Sequence, residues 1–120
     1  MLIPMQKNER HHFYTEHLEE IKKHSAVFAV SDYYAIDFMQ FMQERGIRVP
    51  EDISIAGFDD NPICEQVVPS LTSVRQDAGE RARTALIMLS DLKQGRQKEA
   101  KKELPVTLVK RTSTAKYTKN

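Results

Sequence analysis

Residues 46–62 read G-I-R-V-P-E-D-I-S-I-A-G-F-D-D-N-P, and this stretch decides the fold class. Gly46 suits the left-handed residue that closes a helix, with Ile47 packing back over the last turn. Pro50 cannot continue a helix, and it pushes Val49 into an extended conformation. Residues 53–57 form a short apolar run rich in β-branched side chains, which predicts a strand rather than a helix. The run delivers two carboxylates, Asp59 and Asp60, before the turn signal Asn61-Pro62. A buried strand carrying acids at its carboxyl end is how open α/β sheets build ligand sites.

Working outward, residues 26–30 (A-V-F-A-V) read as a second strand, buried on both faces. Ser31 and Asp32 then have the character of N-cap residues for a helix over residues 33–45. That helix carries more apolar residues than one face can hold. Ala35, Phe38, Met39 and Met42 make a stripe, with Tyr34, Ile36 and Phe41 outside it. Such a helix is buried on more than one side, its second face covered either by the same chain or by a second subunit. Upstream, Phe13, Leu18 and Ile21 among Glu and Lys predict an amphipathic helix over residues 13–23, after a start with little pattern.

Downstream, residues 63–67 suit one helical turn and residues 71–74 a further short strand. Asp77 caps an amphipathic helix whose apolar face holds Ala82, Ala85, Leu86, Leu89 and Leu92. Residues 94–103 read as a solvated charged loop and 104–109 as a last strand, with Pro105 near its start. The polar, basic residues 110–120 read as a frayed tail. This alternation predicts an α/β fold, a parallel sheet with flanking helices.

Composition narrows the function classes. The 120 residues carry 18 basic and 17 acidic side chains, a net charge of +1, which argues against a general electrostatic footprint for nucleic acid. The single cysteine, Cys64, forbids an internal disulfide and suits a cytoplasmic setting. No apolar run approaches a membrane span, and the first residues are too short for a signal-peptide core.

Three strand ends are polar: Ser31 and Asp32, Asp59 and Asp60, Gln76 and Asp77. In a parallel sheet they face one crevice, where carboxylate, hydroxyl and amide groups suit a polyhydroxylated ligand. Asp32 and Asp77 also have the ordinary role of helix caps, and Asp60 that of an Asx turn. Asp59 and Gln76 have no such local duty and rank first. Catalysis finds little support. Adjacent carboxylates on an extended segment point apart, and no glycine-rich phosphate loop occurs. His11, His12, His17 and His24 read as solvated surface residues rather than metal ligands, and Cys64 as a small buried side chain. No cofactor and no metal are expected.

The runs A-V-F-A-V-S-D-Y-Y-A, E-R-G-I-R-V-P-E-D-I-S-I-A-G-F-D-D, P-S-L-T-S-V-R-Q-D and L-P-V-T-L-V-K-R-T-S-T together resemble the lactose/galactose-repressor family of bacterial transcription regulators, over residues 26–114. The resemblance implies part of a periplasmic-binding-protein-like, type I effector-binding domain, in which two α/β subdomains close around a small molecule, commonly a sugar. It implies that residues 1–25 are an N-terminal segment and helix and that residues 26–120 form the C-terminal part of the effector-binding and dimerisation domain. Within that part, residues 75–103 would belong to the opposite subdomain. It also implies that Asp59 and Gln76 contact the effector, with Ser31 and Asp32 beside them; Ser31 stands where relatives usually have Asn. Ile36, Ile63 and Val67 match positions at the dimer interface. A homodimer is therefore expected, reaching DNA only through a helix-turn-helix domain that this chain lacks. Two other readings compete: a transport-type sugar-binding protein of the same fold, and a metal-dependent enzyme using the paired acids.

Overall fold

A computed structural model describes residues 3–96 and 101–118. The elements are α1 (Lys7–Glu16), α2 (Leu18–Ile21), β1 (Ala26–Phe28), α3 (Asp32–Gln43), β2 (Ser54–Phe58), a 3-10 turn (Pro62–Glu65), β3 (Thr72–Gln76), α4 (Ala78–Lys93) and β4 (Val106–Val109). The strands lie side by side in the order β1-β2-β3-β4. The β1–β2 and β2–β3 pairs are parallel, as the alternation predicts, whereas β4 runs antiparallel to β3. Val106, where β4 begins, pairs with Gln76, where β3 ends. The chain thus leaves and re-enters the sheet at one edge, so its return strand must run backwards. The result is a mixed sheet with flanking helices.

The quoted stretch folds as read. Gly46 has φ +74°, its N–H reaches Gln43 O, and Ile47 N–H reaches Met42 O, which closes α3 with a left-handed cap. Asp52 accepts from the Arg48 backbone and side chain, and this tight turn aims the chain into β2. Ile53, Ile55 and Leu71 then join Ala35, Phe38, Met39, Phe41 and Met42 in the core between α3 and the sheet.

The second face of α3 is covered by the same chain. Helix α1 begins at Lys7, earlier than the pattern suggests, and lies on α3 through Arg10, His11 and Tyr14. Tyr14 packs edge-on against Phe38 and Phe41, with ring centroids 5.1 Å apart in each case. Asp37 accepts from Arg10 Nε at 2.8 Å and contacts His11 Nε2 at 2.9 Å, while the Arg10 guanidinium sits 5.0 Å from the Tyr34 ring centre. Burial opposes ionisation of Asp37, but the bonds from Arg10 and His11 outweigh it and hold the carboxyl below its usual range. Burial pushes the Tyr14 hydroxyl up to about 12. Ile36 belongs to the core of its own chain, at 8% exposure.

Other expectations need correction. Strand β1 is short and is an edge strand among the described residues, with Phe28 exposed on its open face rather than buried on both. Helix α4 has the expected apolar stripe, yet none of its residues is buried, and Leu86, Leu89 and Leu92 face outward. Its excursion gives the molecule a radius of gyration of 18.2 Å, against about 14 Å for a compact chain of this length. The solvated loop expected at residues 94–103 falls partly on residues 97–100, outside the described residues.

The tail is not frayed where it meets the sheet. Ser113 is fully buried; its Oγ donates to Ile55 O at 2.6 Å and accepts from Thr72 N at 2.8 Å. Its own backbone accepts from Ile55 N and donates to Ser70 O. Thr112 bonds Ser70 and Thr114 bonds Thr72. This hydroxyl-rich run therefore bridges the amino ends of β2 and β3, where the chain would otherwise leave buried peptide groups unpaired.

Candidate functional site

The carboxyl ends of β1, β2 and β3 lie along one edge because the three strands are parallel. At the end of β2 two consecutive residues are left-handed, Asp59 at φ +98° and Asp60 at φ +55°. Short polar side chains tolerate that region best among non-glycine residues, which explains Asp-Asp at this bend. Three successive backbone N–H groups then turn inward: Asp59 N to Val74 O, Asp60 N to Ser73 Oγ at 3.0 Å, and Asn61 N to Asp32 Oδ2 at 2.7 Å. With the backbone fastened inside, the Asp59 side chain is left on the exposed side.

The two acids do different work. Asp59 Oδ1 accepts from Gln76 Nε2 at 2.8 Å, and Gln76 Oε1 accepts from Arg81 Nη1 at 2.7 Å. Asp60 is clamped instead, its side chain 5% exposed between Arg75 Nε and Arg111 Nη2, each 2.6 Å away. Burial raises the Asp60 pKa, the two guanidiniums lower it, and the net position is below the ordinary carboxylate range. Asp60 thus braces the bend, beyond the simple Asx turn that sequence suggests.

Asp32 departs from its expected role as a helix cap. It is fully buried, its carboxylate accepts from Ser73 Oγ at 2.6 Å and from both the backbone and side-chain nitrogens of Asn61, and it does not cap α3. Gly57 makes room for it, since a Cβ there would stand 2.5 Å from Asp32 Oδ1. Ser31 occupies the N-cap position of α3, half-buried, with a hydroxyl that makes no cap bond. Asp77 is the helix cap that sequence predicts, accepting from Glu80 N at 2.8 Å.

Two features escape the sequence reading. Phe28 is 58% exposed and meets Phe58 edge-on at 6.4 Å, giving the same strand ends an aromatic surface. The signal available was one large ring in an otherwise small-residue strand. Arg81 is the other: it lies on α4 and points back to Gln76, a pairing between a strand and a helix that no local spacing announces. Gln76, Asp77, Arg81, Leu104 and Val106 line a hollow of about 120 Å³. That is well below the roughly 300 Å³ of an enclosed small-molecule pocket. The strand ends therefore present an open polar surface rather than an enclosed pocket.

The remaining candidates lie elsewhere. His17 stacks on Phe13 and bonds its carbonyl, and His12 pairs with Glu16 on the exposed face of α1. Ile63 and Val67 lie about the 3-10 turn after Asp60, partly buried, with the neighbouring Val68 84% exposed. Cys64 is buried beside them, and burial pushes its thiol up to about 11. Among the described residues no helix is long and apolar enough to cross a membrane.

Comparison with known proteins extends this geometry. Residues 3–114 match the family model described as periplasmic binding protein-like domain. The chain is 36% identical over 90 residues to the lactose operon repressor of Escherichia coli (strain K12), an alignment covering 75% of this chain and 25% of that protein. It is 45% identical over 65 residues to the HTH-type transcriptional regulator GalR of Streptococcus thermophilus, covering 54% of this chain and 20% of that protein. It therefore spans about a quarter of the length of these curated relatives. Among solved structures, the lac repressor dimer bound to operator and the anti-inducer ONPF superposes with a TM-score of 0.80 at 30% identity, over 93% of this chain and 39% of that one. A LacI family transcriptional regulator from Enterococcus faecium with bound ribose superposes with a TM-score of 0.73 at 34% identity, over 94% and 42%.

Proposed function

The chain belongs to the periplasmic binding protein-like domain family, in the lactose/galactose-repressor group, and on that premise we propose that it is the C-terminal effector-binding and dimerisation part of a cytoplasmic transcriptional repressor that responds to a sugar. The observation that carries this reading is Asp59. Its carboxylate is exposed at a strand end, fixed through one oxygen by Gln76, and its Oδ2 takes no hydrogen bond among the described residues. An acceptor held in that way matches a sugar hydroxyl, and the second N–H of Gln76 matches the neighbouring hydroxyl. Phe28 and Phe58 offer an apolar surface to the face of a sugar ring. Ser31 completes the polar edge.

In this reading the wall closes against a second wall across the ligand. Of residues 75–103, Arg75 and Gln76 complete β3 of this wall, and the part from α4 onward belongs with that opposite subdomain, which accords with an α4 that buries nothing against the sheet. Effector binding biases the open and closed forms, and DNA affinity changes through the dimer and a helix-turn-helix domain. The route is short: Asp59 and Asp60 lead directly into the 3-10 turn carrying Ile63, with Val67 just beyond it, and these two residues are the proposed dimer contact. No step of this reading requires catalysis or a cofactor.

A thermal-shift screen of the intact protein, with both walls present, against pentoses, hexoses and disaccharides tests it. At tenfold excess over its dissociation constant a cognate sugar adds about 1.4 kcal/mol of stability. A screen in which no sugar raises the midpoint contradicts the proposal.

A further inference from the structure

We propose that Arg81 is a positioning residue that sets the donor and acceptor polarity of the Asp59–Gln76 wall, and so selects ligands carrying a vicinal diol; the ligand class rests on the function proposed above. A primary amide can present either its oxygen or its nitrogen, and the two orientations are nearly equal in shape. The Asp59 carboxylate, which only accepts, and the Arg81 guanidinium on the far side together remove the choice. A guanidinium only donates, so Gln76 must turn Oε1 toward Arg81 Nη1, 2.7 Å away, and Nε2 toward Asp59 Oδ1, 2.8 Å away. Each bond in the series Arg81 to Gln76 to Asp59 then runs in one direction.

The consequence reaches the ligand. Asp59 Oδ1 is taken by Gln76, which leaves Oδ2 as an acceptor, and the second Nε2 hydrogen remains as a donor beside it. One acceptor next to one donor is the complement of two adjacent hydroxyls, the first donating and the second accepting. Were the amide reversed, Gln76 Oε1 would face the Asp59 carboxylate and the donor would be lost. Arg81 is able to play this part because Asp77 caps α4 and fixes its first turn, which places position 81 over Gln76.

The test compares Arg81→Leu and Arg81→Lys with the wild-type chain. Arg81 is exposed, and leucine is an equally good helix former, so the fold survives. In the ¹⁵N-labelled protein the wild-type Gln76 side-chain amide gives two well-separated, exchange-protected resonances. Arg81→Leu collapses them toward free glutamine, and Arg81→Lys, still a pure donor, retains them. With D-ribose as the probe, Arg81→Leu weakens binding about tenfold, the loss of one charge-assisted hydrogen bond, and 2-deoxy-D-ribose, which lacks the 2-hydroxyl, binds wild type and Arg81→Leu alike. A Gln76 amide unchanged in Arg81→Leu overturns the positioning role whether or not a sugar binds. Equal ribose affinity in wild type and Arg81→Leu overturns it too. A wild type that ignores ribose, with its Gln76 amide still dependent on Arg81, removes the sugar reading and upholds the positioning role.

Discussion

Replacing Asp32 with Asn tests whether the bend that presents Asp59 is held from inside. The Asp32 carboxylate is fully buried and accepts from Ser73 Oγ at 2.6 Å, Asn61 N at 2.7 Å and Asn61 Nδ2 at 3.0 Å. Asparagine is the same shape and retains one acceptor oxygen, which can serve Asn61. Its amide then faces Ser73 Oγ, which already accepts from Asp60 N at 3.0 Å. The serine hydrogen is left without its acceptor. The net loss is one charge-assisted bond, about 2 kcal/mol, which for a domain of this size lowers the melting midpoint by about 8 °C. Thermal unfolding followed by circular dichroism measures it. Ser73→Ala breaks the same bond from the other end, so the double variant costs less than the sum of the singles. A midpoint within about 2 °C of wild type, or strict additivity with Ser73→Ala, refutes the reasoning.

Other predictions bear on neighbouring parts of the same bend. Gly57→Ala brings a Cβ to 2.5 Å from Asp32 Oδ1 and 3.0 Å from Leu71 Cδ2, and urea unfolding is expected to show a loss of about 1–3 kcal/mol; an unchanged midpoint contradicts the packing. Asp60 has its pKa lowered in the fold, net of burial, by Arg111 and Arg75. Its stabilisation is therefore complete above the unfolded carboxyl value of about 4 and is lost as pH falls through the lower folded value. The stability gap between wild type and Asp60→Asn should be flat from pH 5 to pH 7 on this scale, roughly, and close below about pH 4; a gap that widens on acidification is the wrong sign. Val68→Asp, at an 84% exposed position beside Ile63 and Val67, should convert a dimer to a monomer in light scattering with the far-ultraviolet circular dichroism spectrum unchanged. The dimer surface lies elsewhere if the variant still dimerises.

What sequence revealed was the local chemistry. Gly46, the β-branched run of β2 and the Asp77 cap each depend on residues within a few positions, so each could be read directly. The division between Asp59 and Asp60 was half legible: the exposed acid was identified, but the clamp on the buried one comes from Arg75 and Arg111, far along the chain. Ser113 and Asp32 were misread for the same reason. A hydroxyl in a basic tail looks solvated, and an Asp before a helix looks like a cap, until Ile55 and Thr72, or Asn61 and Ser73, arrive beside them. The over-apolar α3 showed that a second layer existed without showing whose it was; Arg10 and Tyr14, set among charged residues, gave no apolar stripe to announce α1 as that layer. The reversal of β4 had no local signal either, because strand direction depends on where α4 returns to the sheet.

The central claim is that Asp59 holds a sugar hydroxyl, and its most direct test is a ribose titration of the ¹⁵N-labelled chain compared with Asp59→Ala. A single wall offering a few hydrogen bonds implies binding in about the millimolar range, which amide shifts register. The account predicts saturable shifts confined to residues around Ser31, Phe58, Asp59 and Gln76 in the wild type, and their loss in a folded Asp59→Ala. Shifts that persist in Asp59→Ala, or a wild type that shows none, contradict it.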